Sequence, residues 1–198
     1  MPRAGELNQL VVIASSTGGP KSLQSVVPKL PPNLNAAVII VQHMPSGFTN
    51  SLAARLNDLS RIFVKEAEEG EQLRPGRVYI AKGGQHLKVT RKERKYFLTL
   101  TDEPPREGVR PCANYTYESL ISTDFDTLVG VVMTGMGADA TIGIRNLKKE
   151  KDIYTIAQDR ETSIIYGMPK MVTEAGLSDI VLPLEKIADE ITKKVGVL

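Results

Sequence analysis

The length, composition and charge of the chain favour one globular domain. With 198 residues, of which 41% are hydrophobic, the chain is long enough to bury one substantial core. Its longest apolar runs, residues 36–41 and 128–133, are far shorter than the ~20 residues of a membrane-spanning helix, so we expect no membrane insertion. The 25 basic and 23 acidic side chains leave a net charge of +2, which argues against nucleic acid as a partner.

The cysteine content indicates a reducing compartment. Cys112 is the single cysteine, and residues 1–8 contain no apolar stretch of the kind that directs secretion. We therefore predict a cytoplasmic protein, and we expect a monomer without a metal or another cofactor. The basic cluster at residues 91–95 is interpreted as a solvated hairpin tip.

Apolar strands and amphipathic helices alternate along the chain. Strand, turn and helix are predicted three times, with the strands at residues 10–14, 36–42 and 128–134. Pro20 stands where the first helix would begin, Thr49 is expected to cap the second helix, and the third is predicted to start near Asp139. The pattern continues with a strand at 153–157, a helix at 168–175, a strand at 180–182 and a helix from Leu184.

This alternation predicts a doubly wound α/β fold. The strands are apolar throughout rather than at every second residue, which is typical of a mostly parallel sheet with helices on both faces. Residues 76–81, 86–90 and 96–101 break the rhythm and are assigned to an antiparallel hairpin insertion. We divide the chain into a flexible segment or linker remnant at 1–8 and a domain at 9–198.

Three of the predicted strands are followed by chemically reactive side chains. Ser16 follows the first strand, His43 the second, and Asp139 lies just past the glycine-rich turn of the third. In open parallel sheets the ligand site lies beyond the carboxyl ends of the strands, so the fold can bring all three together. A serine becomes a nucleophile when an imidazole takes its proton, and a carboxylate can orient that imidazole. The pattern thus indicates a serine hydrolase.

Backbone amides near Ser16 could stabilise the oxyanion of such a hydrolase. Gly18 and Gly19 allow a sharp turn that exposes N–H groups at the start of a helix. We place the oxyanion hole at the N–H of Thr17, with help from the 135–137 turn through the N–H of Met136.

Other interpretations of these residues remain open from the sequence. Ser16 could cap the following helix, and Asp139 could serve only as a favourable charge at a helix start. The turn from Gly135 also fits the G-x-G-x-x-A fingerprint of dinucleotide-binding proteins, with Asp159 placed to bind a ribose. An NAD-binding oxidoreductase is therefore an alternative, although the ~60 residues after this turn are few for the usual paired halves of such a domain.

Three segments stand out as motifs: ASSTGG at 14–19, VQHMP at 41–45 and MTGMGAD at 133–139. They resemble motifs of the chemoreceptor protein-glutamate methylesterases. Their order and spacing fit that family, and further matches span nearly the whole chain. Among these are GG at 83–84 with His86, QD at 158–159 and YGMPK at 166–170.

The resemblance implies that Ser16, His43 and Asp139 form a catalytic triad. It implies a methylated glutamate on the cytoplasmic domain of a methyl-accepting chemotaxis receptor as substrate, and deamidation of receptor glutamines as a second activity. It also implies a partner receiver domain that restrains the esterase, for which this chain has no room. The residues Cys112, Ala113 and Asn114 depart from the Ser-Val-Asp of the family, and we interpret Cys112 as a structural thiol. A non-catalytic receptor-binding module is the remaining alternative.

Overall fold

The computed structural model describes residues 7–198. Over this range the strands are β1 (Gln9–Ser15), β2 (Ala37–Gln42), β3 (Phe63–Glu66), β4 (Arg77–Ile80), β5 (His86–Lys92), β6 (Lys95–Thr101), β7 (Thr127–Val132), β8 (Tyr154–Gln158) and β9 (Ile180–Leu182). The helices are α1 (Gly19–Val26), α2 (Phe48–Leu59), α3 (Ala113–Ser119), α4 (Thr141–Glu150), α5 (Met168–Glu174) and α6 (Leu184–Val195), and short 3-10 turns cover Val27–Lys29 and Leu120–Ser122.

A parallel sheet forms the centre of the fold. Its strand order is β3-β4-β2-β1-β7-β8-β9, and the neighbouring strands pair in parallel. Strand β1 contributes to both faces, since Leu10 and Val12 belong to one hydrophobic cluster whereas Val11 and Ile13 belong to the other. Burial on both faces explains the continuous apolar runs. The predicted doubly wound α/β architecture is confirmed.

One strand differs from its sequence-based assignment. Residues 76–81 were assigned to the hairpin insertion, but β4 pairs in parallel with β2 on one side and β3 on the other. Val78, Tyr79 and Ile80 are all buried, which is the burial pattern of an internal parallel strand rather than of a two-stranded ribbon. Strands β5 and β6 alone form the antiparallel hairpin.

The prediction that Thr49 caps the second helix is wrong. Helix α2 begins after Gly47 and has no side-chain cap; the Thr49 hydroxyl instead donates to Glu66 and accepts the Gly83 N–H.

The segment predicted to be flexible, 1–8, lies outside the described residues except for its last two. Of these, Leu7 is buried with the core, and the Asn8 carbonyl accepts hydrogen bonds at the start of β7. In the described range, we find no helix with the length and apolar character needed to cross a membrane.

Candidate active site

The three candidate residues lie at one edge of the sheet, where the parallel strands end. We call it the carboxyl edge. Ser15 and Gln42 are register partners at the ends of β1 and β2, so Ser16 and His43 are the next residues on adjacent strands. The N–H of His43 donates to the Ser15 carbonyl at 3.1 Å, which continues the ladder to this point. The imidazole then reaches Asp139, with 2.6 Å between its Nε2 and the carboxylate Oδ2.

Buried polar side chains fix the backbone on both sides of Ser16. The Ser15 hydroxyl donates to the Gln42 Oε1 at 2.6 Å, and the Gln42 Nε2 donates to the Ser16 carbonyl at 2.9 Å. From the other neighbouring strand, the Thr134 carbonyl accepts the N–H of Ser16 at 3.0 Å. The Ser16 hydroxyl itself has no protein hydrogen-bond partner among the described residues, and Ser16 is partly exposed.

The Asp139 carboxylate is buried within a dense set of donors. Besides the imidazole, four groups donate to it: the N–H of Ala113 at 2.7 Å, of Ala140 at 2.8 Å and of Asn114 at 2.9 Å, and the Cys112 thiol at 3.1 Å. Burial opposes ionisation, but the hydrogen bonds, that from His43 foremost, outweigh it and hold the pKa of Asp139 below its ordinary value. Because an ionised carboxylate can only accept, the Nε2 of His43 donates. Nδ1 is therefore the ring nitrogen available to receive a proton.

Cys112 and His86 form a structural link behind this carboxylate. Burial raises the pKa of the Cys112 thiol, and the charge of Asp139 adds to the shift, so the thiol stays protonated as a donor. The His86 Nδ1 accepts the Cys112 N–H at 3.2 Å, while its Nε2 faces the Pro104 carbonyl at 3.0 Å. Burial lowers the pKa of His86, which is consistent with a neutral ring bridging two backbone groups. His86 thus contacts the Cys112 and Pro104 backbone and, in the described structure, makes no hydrogen bond to Ser16, His43 or Asp139.

Thr134 and Gly135 join three loops around Ser16. The Thr134 hydroxyl lies 3.0 Å from the Thr17 carbonyl and accepts the N–H groups of Ile164 and Ile165 at 3.1 and 3.0 Å. Gly135 approaches Ser16 so closely that an added Cβ would stand 2.7 Å from the serine Cβ. The loops after β1, β7 and β8 therefore form one packed unit.

The amides proposed for the oxyanion hole are unpaired in the described structure. The N–H groups of Thr17 and Met136 donate to no protein acceptor among residues 7–198, whereas the N–H groups of Ser16, Gly19 and Gly135 nearby are all engaged. Gly18, with a φ of 79°, turns the chain into α1. Gly19 lies where a side chain would collide with Gln42, since its Cβ would stand 1.9 Å from the amide oxygen.

The geometry decides among some of the open interpretations. Helix α1 has no side-chain cap, so Ser16 does not act as one. Asp159 accepts hydrogen bonds from the N–H and hydroxyl of Thr162, which close a local turn and account for its position. Within the described range, no group of three or more His, Cys, Asp or Glu residues is arranged to hold a metal ion.

Sequence reasoning missed several residues that support this arrangement: Ser15, Gln42, Ala113, Asn114 and Thr134. Gln42 directly precedes His43 in a buried strand, and a polar side chain at such a position is the available signal, because buried amides require partners. The two α3 amides give no signal in the sequence, since any residue except proline supplies an N–H.

Fold and site together define an α/β protein with a Ser, His and Asp constellation at the carboxyl edge of a parallel sheet. A sequence model of the CheB methylesterase family matches residues 11–191. The crystal structure of the Thermotoga maritima CheB methylesterase catalytic domain superposes with a TM-score of 0.90 at 43% identity, covering 93% of this chain and 97% of that one. The chain belongs to the CheB methylesterase family.

Curated relatives carry the name protein-glutamate methylesterase/protein-glutamine glutaminase. That of Geobacillus kaustophilus is 46% identical over 187 residues, covering 94% of this chain and 54% of the relative. That of Pyrococcus horikoshii is 48% identical over 188 residues, covering 95% of this chain and 51% of the relative. The chain thus spans about half the length of the curated relatives it matches.

Proposed function

We propose that this chain is a cytoplasmic serine hydrolase that removes methyl groups from glutamate methyl esters on chemotaxis receptors. Deamidation of receptor glutamines is proposed as its second activity. The observation that carries the proposal is the His43–Asp139 hydrogen bond of 2.6 Å. Ser15 and Gln42 are register partners, so Ser16 and His43 follow them side by side on adjacent strands. The names of the relatives supply the chemical class of the substrate.

The first half of the reaction transfers the acyl group to the enzyme. The Ser16 Oγ attacks the ester carbonyl carbon while the His43 Nδ1 takes the hydroxyl proton. The resulting imidazolium is stabilised by Asp139, which stays ionised because of its five donors. The bond between the carbonyl carbon and the methoxy oxygen then breaks, His43 returns the proton to that oxygen, and methanol leaves.

The second half regenerates the enzyme. A water molecule attacks the acyl carbon as His43 takes one of its protons, the bond to the Ser16 Oγ breaks, and the serine recovers its proton. The products are a glutamate side chain and free Ser16. With a glutamine substrate, ammonia leaves in place of methanol and the second half is the same.

The oxyanion hole is proposed at the unpaired N–H groups of Thr17 and Met136. They lie in the first turns after β1 and β7, on two loops that Thr134 joins. An oxyanion between these loops would accept from both, and one such donor typically contributes about 3–4 kcal/mol to transition-state stabilisation. Gly18 and Gly19 shape the first of the two loops.

The surroundings of Ser16 suit a substrate presented by another protein. Thr17, Met136 and Gly137 are exposed, so the candidate site opens at the surface rather than inside a deep pocket. Two candidate partners follow from the family resemblance. One is the cytoplasmic domain of a methyl-accepting receptor, which would present the ester, and the other is a receiver domain that would restrain access.

Methanol release from a methylated receptor fragment tests the proposal. We expect Ser16→Ala to reduce the rate at least ~1,000-fold while the variant stays folded, because it removes only the nucleophile. Ser15→Ala is the neighbouring control; it removes a buried hydrogen bond to Gln42, so a smaller loss of rate accompanied by lower stability is expected. Retention of more than a trace of activity by the Ser16 variant would refute the nucleophile.

Methanol release, receptor binding and NADH binding together separate the remaining alternatives. A folded wild-type chain that binds the receptor fragment but releases no methanol would be a binding module, and saturable quenching of NADH fluorescence would favour the oxidoreductase. Membership of the methylesterase family favours the hydrolase over both.

A further inference from the structure

A basic cavity lies at the edge of the sheet opposite to Ser16. Its volume is about 440 Å³. Arg77 begins β4 and Leu7 precedes β1, so the cavity lies where the strands begin, about 20 Å from the carboxyl edge for a strand of the length of β1. Four cationic side chains line it, together with the buried Leu7 and Tyr96: Arg74, Arg77, Arg94 and Lys95.

These four cations have no carboxylate partners in the described structure. No residue lining the cavity is acidic, and none of the four forms an ion pair within residues 7–198. Arg91 lines a neighbouring depression and, unlike these four side chains, forms an ion pair, with Asp124 at 2.8 Å. The lining of the cavity itself thus carries an excess of positive charge, whereas the neighbouring depression, which shares Arg94, also contains Asp124 and Asp126.

The walls of the cavity are held together by backbone hydrogen bonds. The N–H of Leu73 donates to the Tyr96 carbonyl at 2.9 Å, and the N–H of Leu98 donates to the Glu71 carbonyl at 2.8 Å. These bonds attach the β5–β6 hairpin, whose turn carries Arg94, to the loop that carries Arg74. The segments that carry these cations are therefore already held in place, so binding of a ligand does not require the loops to become ordered.

Charge and volume together identify the class of ligand. A phosphate monoester carries about −1.5 to −2 charges near neutral pH, so two phosphate groups balance four cations. Guanidinium groups match phosphate oxygens through paired hydrogen bonds. Pockets for small ligands measure roughly 300–1,000 Å³, and the observed volume lies in this range.

We propose that this cavity binds a small molecule carrying two or more phosphate groups. The site is separate from Ser16, His43 and Asp139. It would give a binding role to Arg94 and Lys95, two residues of the basic cluster at 91–95. An acidic polypeptide or a nucleic acid would need a basic surface that continues beyond the cavity.

Isothermal titration with sodium pyrophosphate tests the proposal on the whole chain. We expect saturable binding with a stoichiometry of one, and at least tenfold weaker binding of inorganic phosphate, which can balance only part of the charge. In the double variant Arg74→Gln/Arg94→Gln, both substituted side chains are exposed, and pyrophosphate affinity should fall at least tenfold. Hydrolysis of a small ester should be unchanged, since the cavity lies at the other edge of the sheet.

A matched control removes the same charge elsewhere. Arg145→Gln/Lys186→Gln alters exposed residues of α4 and α6 that do not line the cavity, and it should bind pyrophosphate like the wild type. Absence of pyrophosphate binding to the wild type would overturn the proposal, as would an equal loss in both double variants. Binding of a hexaglutamate peptide without binding of pyrophosphate would also overturn it, in favour of a protein partner.

Discussion

The Asp139 carboxylate sits at the amino end of helix α3, and the helix amides add to the effect of His43 on its charge. Its donors include the N–H groups of Ala113 and Asn114, which are among the first four amides of a helix and have no partner inside it. A buried carboxylate alone would favour its neutral form. Here the backbone amides, the imidazole and the thiol reverse that preference, so the ionised form is available to orient His43.

Replacing Cys112 tests how far the thiol contributes to this arrangement. Cys112→Ala removes one donor to Asp139, and we expect kcat for a small ester to fall about threefold to tenfold with KM unchanged, as for a hydrogen bond of about 1 kcal/mol. Cys112→Ser keeps a donor of similar size and should restore most of the rate. Steady-state kinetics of both variants would check this.

A structural role alone would give a different outcome. If Cys112 only filled space, the serine and alanine variants would lose stability together and neither would change kcat. Circular dichroism and urea unfolding of the same samples distinguish the two cases. Equal rates for the two variants would contradict a contribution through Asp139.

At the residue scale, the sequence predicts the reactive groups better than their supports. Ser16, His43 and Asp139 can be singled out because they are reactive residue types directly after parallel strands. The contact between Cys112 and Asp139 could not be predicted, because it joins residues 27 positions apart through a helix that the sequence does not reveal. The catalytic roles themselves stay predictions until activity is measured.

At the scale of elements, the loop after β7 is packed against the loop after β1 without space for a side chain. A Cβ at Gly135 would stand 2.5 Å from the Met168 Sδ, 2.7 Å from the Ser16 Cβ and 3.0 Å from the Ser16 N. The Gly135 carbonyl also accepts the N–H groups of Gly167 and Met168 at 3.1 and 2.8 Å. The position of Ser16 therefore depends on a glycine in another loop.

Gly135→Ala should displace the serine and reduce kcat more than tenfold, because small displacements of a reacting group are costly. Overpacking should also lower the free energy of unfolding by about 1–3 kcal/mol. Gly130→Ala, in strand β7 that precedes this loop, is the matched control. Its Cβ would meet Ile153 and Tyr117 at 3.1 and 3.3 Å but no candidate catalytic residue. We expect it to lose stability while kcat is retained; equal rates for both variants would contradict the expectation.

Strand β4 and helix α3 differ from the prediction because tertiary contacts, rather than the local sequence pattern, determine where they lie. Strand β4 was assigned to the hairpin because it directly precedes it, although its continuous burial places it inside the parallel sheet. Helix α3 was not predicted because its sequence, Ala113–Ser119, is short and polar. Its buried Asn114 and Thr116 make tertiary hydrogen bonds, in which the Asn114 Oδ1 accepts the Gly143 N–H and the Thr116 hydroxyl donates to the Leu87 carbonyl. No local pattern encodes these contacts.

At the scale of the molecule, large apolar side chains are exposed around the candidate site. Four of them form what we call the apolar rim: Phe48, Met136, Ile164 and Ile165. They lie on the first turn of α2, the loop after β7 and the loop after β8, all of which leave the carboxyl edge. Exposed apolar residues on neighbouring loops are typical of protein-binding surfaces, which fits the proposed substrate, a glutamate ester carried on a receptor.

Truncating one side chain of the rim should separate receptor recognition from ester chemistry. Phe48 is 61% exposed, so Phe48→Ser should leave the fold and the hydrolysis of a small ester unchanged. Loss of its contact area with a receptor should raise KM for methylated receptor about tenfold, the range of an aromatic contact worth about 1–2 kcal/mol. Phe63→Ser is the matched control, because Phe63 is 46% exposed at the start of β3, on the opposite edge of the sheet. Phe63→Ser should change neither activity. If both variants raised KM for the receptor equally, the rim would not be the receptor-binding surface. A loss of small-ester hydrolysis in Phe48→Ser would instead show that Phe48 supports the catalytic site.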